Sequence, residues 1–460
     1  MNNSEQVLRS RRMGEMPEGR LLLSMGVPMM LSMLVQAMYN VVDSIYVSRV
    51  AEDCLSALSL AFPAQNVMIG LATGTGVGVS TLVSRALGAG DRERANRVAG
   101  NSLTLCVFCW ALMALFGALF SRAFIASQTD SAAIVSYGTD YLRIVTVGSV
   151  FLYFEVCFQR LLQSTGQTRL SMFTQMIGAV TNIILDPFFI YGWAGLPAMG
   201  TAGAALATII GQGCGAVGGL FFNLRYNKDL RIRPVHFKPR WPLIARVYKI
   251  GFPSILMMAI GSLTGYAMNM ILIGFTSTAV AVYGAYMKLQ SFFFMPVFGI
   301  NNAVIPIIGF NYGAGNRERI LRTIRWGVIY AMSILTIGMI LFLAAPGLLL
   351  SAFSASENML RLGIPALRII SITFPVAGFC IVSGSACQAL DRSMFSLIIT
   401  ILRQVVVLVP AAYLLSRLGN VDLIWWSFPI AEVMSMAASA FFLRRAMKVM
   451  EQRLADRQTA

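Results

Sequence analysis

Asp43 is one of the few ionisable residues that lie inside the long apolar stretches of this sequence. It ends the run from Gln36 to Asp43, in which helical spacing places Gln36, Tyr39 and Asp43 on one face of a helix. Ionisable groups in an apolar stretch are costly and usually face a partner or a water-filled cavity. We therefore predict that this polar stripe forms part of a functional site.

A second polar pair, Asn182 and Asp186, lies further along the chain. The two residues are four positions apart and therefore neighbours on a helix, and Pro187 lacks the N–H that would bond the carbonyl of Ile183. Carboxylates, an amide and a free carbonyl can bind a sodium ion, and two nearby carboxylates can instead share one proton. The alternative is a purely structural polar pair that holds helices together.

The composition places these residues in a membrane. The 460 residues are 57% hydrophobic and 12% charged, with a mean hydropathy of +0.70, whereas ordinary soluble chains carry about 25% charged residues. The net charge of +16 does not indicate a nucleic-acid partner, because the Lys and Arg residues lie in short turns between apolar runs. The sequence thus predicts an all-α, multi-pass membrane protein.

Twelve apolar stretches are long enough to cross a bilayer as helices. Prolines inside several of them predict tilted and kinked helices. The predicted spans, numbered 1 to 12 in chain order, are 21–48, 55–86, 98–120, 133–163, 168–191, 200–224, 243–275, 278–311, 320–345, 358–389, 394–416 and 421–445. The prolines are Pro28, Pro63, Pro187, Pro253, Pro296 and Pro306.

The chain contains an internal repeat. The stretch GAGDRERANR, which starts at Gly88, returns as GAGNRERILR from Gly313, with seven of ten positions identical. The difference in residue number between Gly88 and Gly313 is here called the repeat offset. The same offset relates Gln163 to Gln388. A constant offset over so much sequence indicates one ancestral unit used twice. Because span 1 maps onto span 7, an even number of spans separates the copies, and the two halves are predicted to be parallel repeats.

Basic residues fall on alternate loops, which predicts that both termini are cytoplasmic. The single histidine of the chain, His236, lies in the basic linker between the halves, and we expect it to be solvated. The predicted organisation is a cytoplasmic N-terminal segment (1–20), an N-lobe (21–224), a cytoplasmic linker (225–242), a C-lobe (243–445) and a cytoplasmic tail (446–460).

Two further function classes are excluded by the sequence. The glycine cluster from Gly74 to Gly78 lies within a span and no GxxxxGK[ST] motif is present, so the chain encodes no ATPase and requires no ATPase partner. Close packing of helices explains this cluster better, as it does Gly211 to Gly219. The spans contain no histidine, metal-ligand set or nucleophile with a base, so we do not predict an enzyme.

Three stretches of the sequence resemble the multidrug and toxic compound extrusion (MATE) family, and the resemblance covers essentially the whole chain. They are PMMLSMLVQAMYNVVDSIYVSR, TNIILDPFFIYGW followed by GTAGAALATIIGQ, and MKLQSFFFMPVFGINNAVIPIIGFNYGAGN. The resemblance implies two six-helix bundles around a V-shaped cavity and export of organic cations in exchange for sodium or protons. It also implies a cation site formed by Asp43, Asn182 and Asp186, assisted by Thr201 or Thr208 of span 6.

The sequence departs from the family pattern in three places. Spans 7 and 10 carry no carboxylate, so a C-lobe cation site of the kind found in part of the family is not expected. Glu155 precedes Gln159 by one turn in span 4 and could add to the proton or substrate site. Lys288 lies well inside span 8, where it could favour acidic or zwitterionic substrates. Arg403 and Glu432, in the last two spans, are predicted to pair structurally.

Together these observations predict a secondary antiporter of the cell (inner) membrane that exports amphipathic, drug-like and cationic organic compounds by alternating access. It needs no cofactor beyond its coupling ion, H+ or Na+, and its partners are a small-molecule substrate and membrane lipid. The alternative is a flippase for a lipid-linked or polysaccharide intermediate. The residues predicted to line the substrate cavity are Gln36, Tyr39, Asn40, Glu155, Gln159 and Lys288.

Overall fold

The computed structural model describes residues 13–50, 52–351 and 356–459, and this part of the chain is helical with no strand. Its α-helices are α1 (Glu18–Ser48), α2 (Glu52–Gly88), α3 (Arg92–Ala126), α4 (Ala132–Val147), α5 (Val150–Ser164), α6 (Thr168–Tyr191), α7 (Thr201–Tyr226), α8 (Trp241–Ile273), α9 (Ser277–Gly313), α10 (Arg317–Ala344), α11 (Pro346–Ser351), α12 (Glu357–Ser371), α13 (Phe374–Ala389), α14 (Ser393–Ile401), α15 (Val409–Ser416), α16 (Val421–Ile424) and α17 (Ser427–Thr459). A π-helix, Leu402–Leu408, joins α14 to α15.

The helices of the described residues form twelve membrane spans if each bent helix pair is counted as one span. Ten stretches are each long and apolar enough to cross a membrane, and two more spans are bent helix pairs, α4 with α5 and α12 with α13. The pairs bend by 46° and 49°, respectively. The predicted all-α fold with twelve spans is therefore confirmed.

The sharp bends do not fall at the prolines from which kinks were predicted. Pro28, Pro63, Pro187 and Pro253 each lie inside a helix that continues past them, and Pro296 and Pro306 both lie inside α9. The bends above 40° lie instead between α4 and α5 and between α12 and α13. Residues related by the repeat offset are here called repeat mates. The two breaks lie at repeat mates, because the offset takes Val150, the first residue of α5, to Pro375, beside the start of α13.

The duplicated loop folds in the same way both times. Asp91 caps α3 by accepting the backbone N–H of Arg94, with a distance of 2.9 Å from nitrogen to Oδ1. The repeat mate Asn316 caps α10 by accepting the N–H of Arg319 at 3.1 Å. A side-chain oxygen at the N-cap satisfies an amide that has no partner within the helix. The one Asp-to-Asn difference near the start of the repeat thus preserves the cap.

The chain forms two compact units whose boundaries cut through α1 and α8. Among the described residues, unit 1 comprises 13–15 and 31–255, and unit 2 comprises 16–30 and 256–459. The repeat offset takes the boundary after Met30 to the boundary after Ile255. Each unit therefore contains the beginning of one span from the other half of the sequence.

Glycines allow these borrowed helix segments to pack closely within their units. In unit 1, a Cβ at Gly74 would lie 2.8 Å from the carbonyl oxygen of Gly251, so α2 and the start of α8 approach backbone to backbone. In unit 2, a Cβ at Gly299 would lie 2.6 Å from the Cα of Met30, which brings α9 equally close to the start of α1. Close packing as the reason for the glycine cluster in span 2 is confirmed.

The linker between the halves is held against α3 in unit 1. His236 is buried, its Nε2 lies 3.5 Å from Glu93 Oε1, and its Nδ1 accepts the backbone N–H of Arg233. The prediction of a solvated histidine is therefore wrong. Asn101 of α3 donates to the His236 carbonyl at 3.1 Å and accepts the N–H of Arg240 at 2.8 Å. Backbone bonds to a buried side chain fix the linker in a way that its basic composition does not reveal.

Candidate cation site

Asn182 and Asp186 lie on the face of α6 that packs against α7. Asn182 Nδ2 is 3.4 Å from Asp186 Oδ1 and 3.4 Å from Thr208 Oγ1. Both α6 residues are buried, and Asp186 is fully so. The helices approach closely here because a Cβ at Gly211 would lie 2.7 Å from the carbonyl oxygen of Gly178. The tight contact brings an amide, a carboxylate and a hydroxyl into one cluster.

Three oxygen atoms at this site are buried without a hydrogen-bond partner among the described residues: Asp43 Oδ1, Asn182 Oδ1 and Asp186 Oδ2. Asp43 and Asp186 lie close enough for their charges to interact. Unpartnered buried oxygens are rare in folded proteins, because each costs free energy unless an ion, a proton or water satisfies it. The arrangement therefore suits a small cation or a shared proton.

The two threonines of span 6 have different surroundings. Thr208 contacts Asn182 and also donates to the carbonyl of Ala204 at 2.9 Å, which leaves its oxygen free to accept. Thr201, seven residues earlier, donates to the carbonyl of Tyr137 at 3.3 Å. Of the two, only Thr208 is thus placed beside the α6 pair.

The polar stripe of span 1 reaches the same helix, α6, through a residue that sequence reasoning missed. Gln175 donates from Nε2 to Gln36 Oε1 at 2.7 Å, and its own Oε1 accepts the hydroxyl of Ser32. Gln175 lies seven residues before Asn182, which is two helical turns and could have drawn attention to it. Tyr39 is half-buried and close enough to interact electrostatically with Asp43 and Asp186. The predicted cavity residue Asn40 has a side chain outside the described set.

Glu155 is buried inside unit 1, and Gln159 donates to its Oε1 at 3.1 Å. Glycines make the space that it occupies, since a Cβ at Gly215 would lie 2.6 Å from that same oxygen. Glu155 is also near enough to Tyr39 for electrostatic interaction. The structure thus gives unit 1 a further buried carboxylate, on helix α5.

Unit 2 contains the remaining candidates. Lys288 is exposed on α9, between exposed Met287 and buried Leu289. Arg403 and Glu432 form an ion pair, with 3.3 Å between Nη1 and Oε2, as predicted for them. Neither residue of this pair contributes to the cluster around Asp186, which lies wholly in unit 1.

Comparisons with known proteins identify the family. The MatE family model matches the chain twice, over residues 28–188 and 253–414. The first residues of the two matches, Pro28 and Pro253, are related by the repeat offset, in agreement with the internal repeat. The matches also cover well over half of the chain.

Curated relatives match over nearly their full length. The multidrug export protein MepA of Staphylococcus haemolyticus is 26% identical over 426 residues, which cover 92% of each chain. An FAD transporter of Shewanella oneidensis is 25% identical over 445 residues, which cover 96% of this chain and 97% of the relative.

Solved structures share the fold. One, the outward-facing conformation of a multidrug resistance MATE family transporter, has a TM-score of 0.90 and 24% identity, over 98% of this chain and 99% of the other. Another, a MOP superfamily transporter from Pyrococcus furiosus whose binding pocket is described as reversed in polarity, has a TM-score of 0.88 and 25% identity, over 96% of this chain and 98% of the other. The chain is therefore a multi-pass transporter and not an enzyme, and it belongs to the MatE family of multidrug and toxic compound extrusion transporters.

Proposed function

We propose that this transporter exports amphipathic organic compounds, drug-like and cationic, in exchange for protons or sodium ions. The observation that carries the proposal is the set of three buried, unpartnered oxygens on Asp43, Asn182 and Asp186. These atoms belong to helices α1 and α6, and the side chain of Asn182 contacts the hydroxyl of Thr208.

The chemistry of this cluster favours a cation over a neutral or anionic ligand. Asp43 and Asp186 repel each other when both are ionised, so a proton or a metal cation between them stabilises the pair. Sodium would find carboxylate, amide and hydroxyl oxygens, which are the ligands that a hard cation prefers. A proton would be shared between the carboxylates. Both ions fit the donor set, and separately imposed gradients distinguish them.

Coupling requires that the ion and the substrate prefer different states of the transporter. In alternating access, a ligand shifts the equilibrium between inward- and outward-open states only by its difference in affinity for the two. An ion that satisfies these unpartnered oxygens in one state of the transporter supplies such a difference in affinity.

The named activities of the relatives support export of organic compounds but differ in substrate. MepA is a multidrug export protein, and the Shewanella oneidensis relative is an FAD transporter. The alternation of basic loops further supports cytoplasmic placement of both termini. With that orientation, the proposed direction of substrate movement is outward from the cytoplasm.

The test is efflux in proteoliposomes under separately imposed proton and sodium gradients. Asp43→Asn and Asp186→Asn are each expected to abolish ion-driven efflux without loss of membrane expression, because each removes one charge that the ion neutralises. Asp140→Asn is the matched control, since Asp140 is exposed on α4 of the same unit. Transport at the wild-type rate by both site variants would overturn the proposal, and the gradient that drives the wild-type protein identifies the ion.

A further inference from the structure

Unit 2 contains a second buried polar site, centred on Arg403 and Glu432. The pair makes a single contact of 3.3 Å, from Nη1 to Oε2, and this is the only hydrogen bond of the Arg403 guanidinium within the described part of the chain. An arginine has five N–H donors and binds a carboxylate best through two parallel bonds. The guanidinium is therefore only partly satisfied by Glu432.

Glu432 is likewise only partly satisfied. Its side chain is 9% exposed, and Oε1 has no partner among the described residues. Ser435 and Ser439 follow on the same face of α17, and both are fully buried. Neither hydroxyl has a hydrogen-bond partner among the described residues. Hydroxyl donors therefore lie on the helix face that carries the carboxylate.

The side chain of Arg403, in contrast to that of Glu432, is partly accessible. The side chain of Arg403 is 32% exposed, although it lies near the middle of the span Ser393–Ser416. Exposure of a guanidinium to hydrocarbon at this depth is costly, so the exposed part is expected to face water. Lipid headgroups lie too far from the middle of a span to reach it.

The backbone is also specialised at this position. Arg403 and Gln404 lie in the π-helix Leu402–Leu408, whereas the repeat mates of these residues lie in the uninterrupted α-helix α6. Single π-helical turns are rare and occur mostly at functional sites. Gln404 in turn accepts the hydroxyl of Thr264, with 3.0 Å between Oγ1 and Oε1, and Thr264 is the repeat mate of Tyr39. Unit 2 thus has its own polar cluster on helices that correspond, in the repeat, to α1 and α6 of the cation site.

We propose that Arg403 binds an acidic group of the transported compound, a carboxylate or a phosphate, and that Glu432 is the counter-ion which the acidic group displaces. A bidentate contact with the ligand replaces the single contact from Nη1 to Oε2, and Ser435, one helical turn from Glu432, donates to the released carboxylate. Compounds that carry both a positive and a negative group are the class that this site selects. This inference rests on the proposed export of organic compounds and specifies its substrates.

The test is binding of two dyes to the full-length protein in lipid nanodiscs, measured by fluorescence anisotropy. Rhodamine B carries a free carboxylate and a positive charge, and its ethyl ester lacks the negative charge. Arg403→Gln is expected to weaken binding of rhodamine B by about tenfold while changing ester binding less than about twofold. Glu432→Gln removes the competing carboxylate and is expected to strengthen rhodamine B binding.

These opposite signs distinguish a binding site from a structural ion pair, in which both single variants would be equally harmful. If the single variants do not fold, the neutral double variant Arg403→Gln/Glu432→Gln, which leaves no unpaired buried charge, is expected to lose rhodamine B and keep the ester. Equal loss of both dyes, or weaker rhodamine B binding by Glu432→Gln, overturns the inference. Wild-type protein that binds only the ester also overturns it, whereas binding of neither dye contradicts the proposed function itself.

Discussion

Thr208 lies against Asn182 across the contact between α7 and α6, with 3.4 Å between Oγ1 and Nδ2. The hydroxyl already donates to the carbonyl of Ala204, so its oxygen can act only as an acceptor or as an ion ligand at this site. We predict that Thr208→Val raises by about tenfold the ion concentration that gives half-maximal efflux. Ion titrations of efflux in proteoliposomes measure this change.

Two control variants make that prediction specific. Thr208→Ser keeps the hydroxyl and is expected to behave like the wild-type protein. Thr201→Val removes a hydroxyl from the same helix, but that hydroxyl donates to Tyr137 and does not contact the α6 pair. A shift of equal size in Thr201→Val would show that Thr208 acts through helix stability and not as part of the ion site.

Much of the fold could be predicted from the sequence because membrane spans are defined by hydropathy alone. The internal repeat predicted from the sequence is reflected in the paired caps at Asp91 and Asn316 and in the paired bends of spans 4 and 10, although neither feature was itself predicted. The exchange of helix beginnings between the two units could not be predicted. It depends on backbone approach at Gly74 and Gly299, and a glycine in a sequence does not identify the helix that it will contact.

The glycines that accommodate Glu155 lead to a second prediction. A Cβ at Gly215 would lie 2.6 Å from Glu155 Oε1, which is closer than real contacts allow. Gly215→Ala is therefore expected to destabilise the protein by about 1–3 kcal/mol, despite the better helix propensity of alanine. The midpoint of thermal unfolding in detergent reports the change.

Gly213, two residues earlier on α7, supplies the matched comparison. A Cβ there would meet Phe151 at 3.5 Å, an ordinary contact, so Gly213→Ala is expected to be neutral or slightly stabilising. Shortening the opposing side chain, in Gly215→Ala/Glu155→Ala, should recover part of the lost stability. Equal midpoints for both alanine variants would rule out the steric explanation.

The linker supplies a third prediction, which concerns stability alone. Asn101 is buried and bonds to the backbone of His236, Lys238 and Arg240. Asn101→Ala leaves these backbone groups without their partner, at a cost of about 1–3 kcal/mol for each group that water does not reach. Hydrogen exchange of the linker amides near His236 is expected to accelerate, whereas exchange in α10 of unit 2 should not change. Unaltered exchange in the linker would mean that other contacts hold it.

The candidate site itself was only partly predictable, for reasons visible in particular residues. Asp43 and Asp186 could be found because carboxylates are rare in apolar spans. Gln175 was missed because an amide carries no charge and stands out less, although it connects to Gln36 at 2.7 Å. The choice between Thr201 and Thr208 could not be made from spacing, since seven residues bring both to one face. Only the position of Asn182 relative to α7 separates them.

Lys288 gives the last prediction, which concerns substrate choice. Lys288 is exposed on α9, within a stretch that is otherwise largely apolar. An exposed charge at that depth is expected to face water and to attract acidic groups of a passing compound. We predict that Lys288→Met lowers transport of rhodamine B relative to its ethyl ester by about tenfold, with no change in the ion concentration needed for efflux. Lys249→Met, at an exposed lysine of α8 in unit 1, controls for the loss of a positive charge as such. An unchanged ratio between the two dyes would place Lys288 outside the substrate path, and a changed ion requirement would instead assign it to coupling.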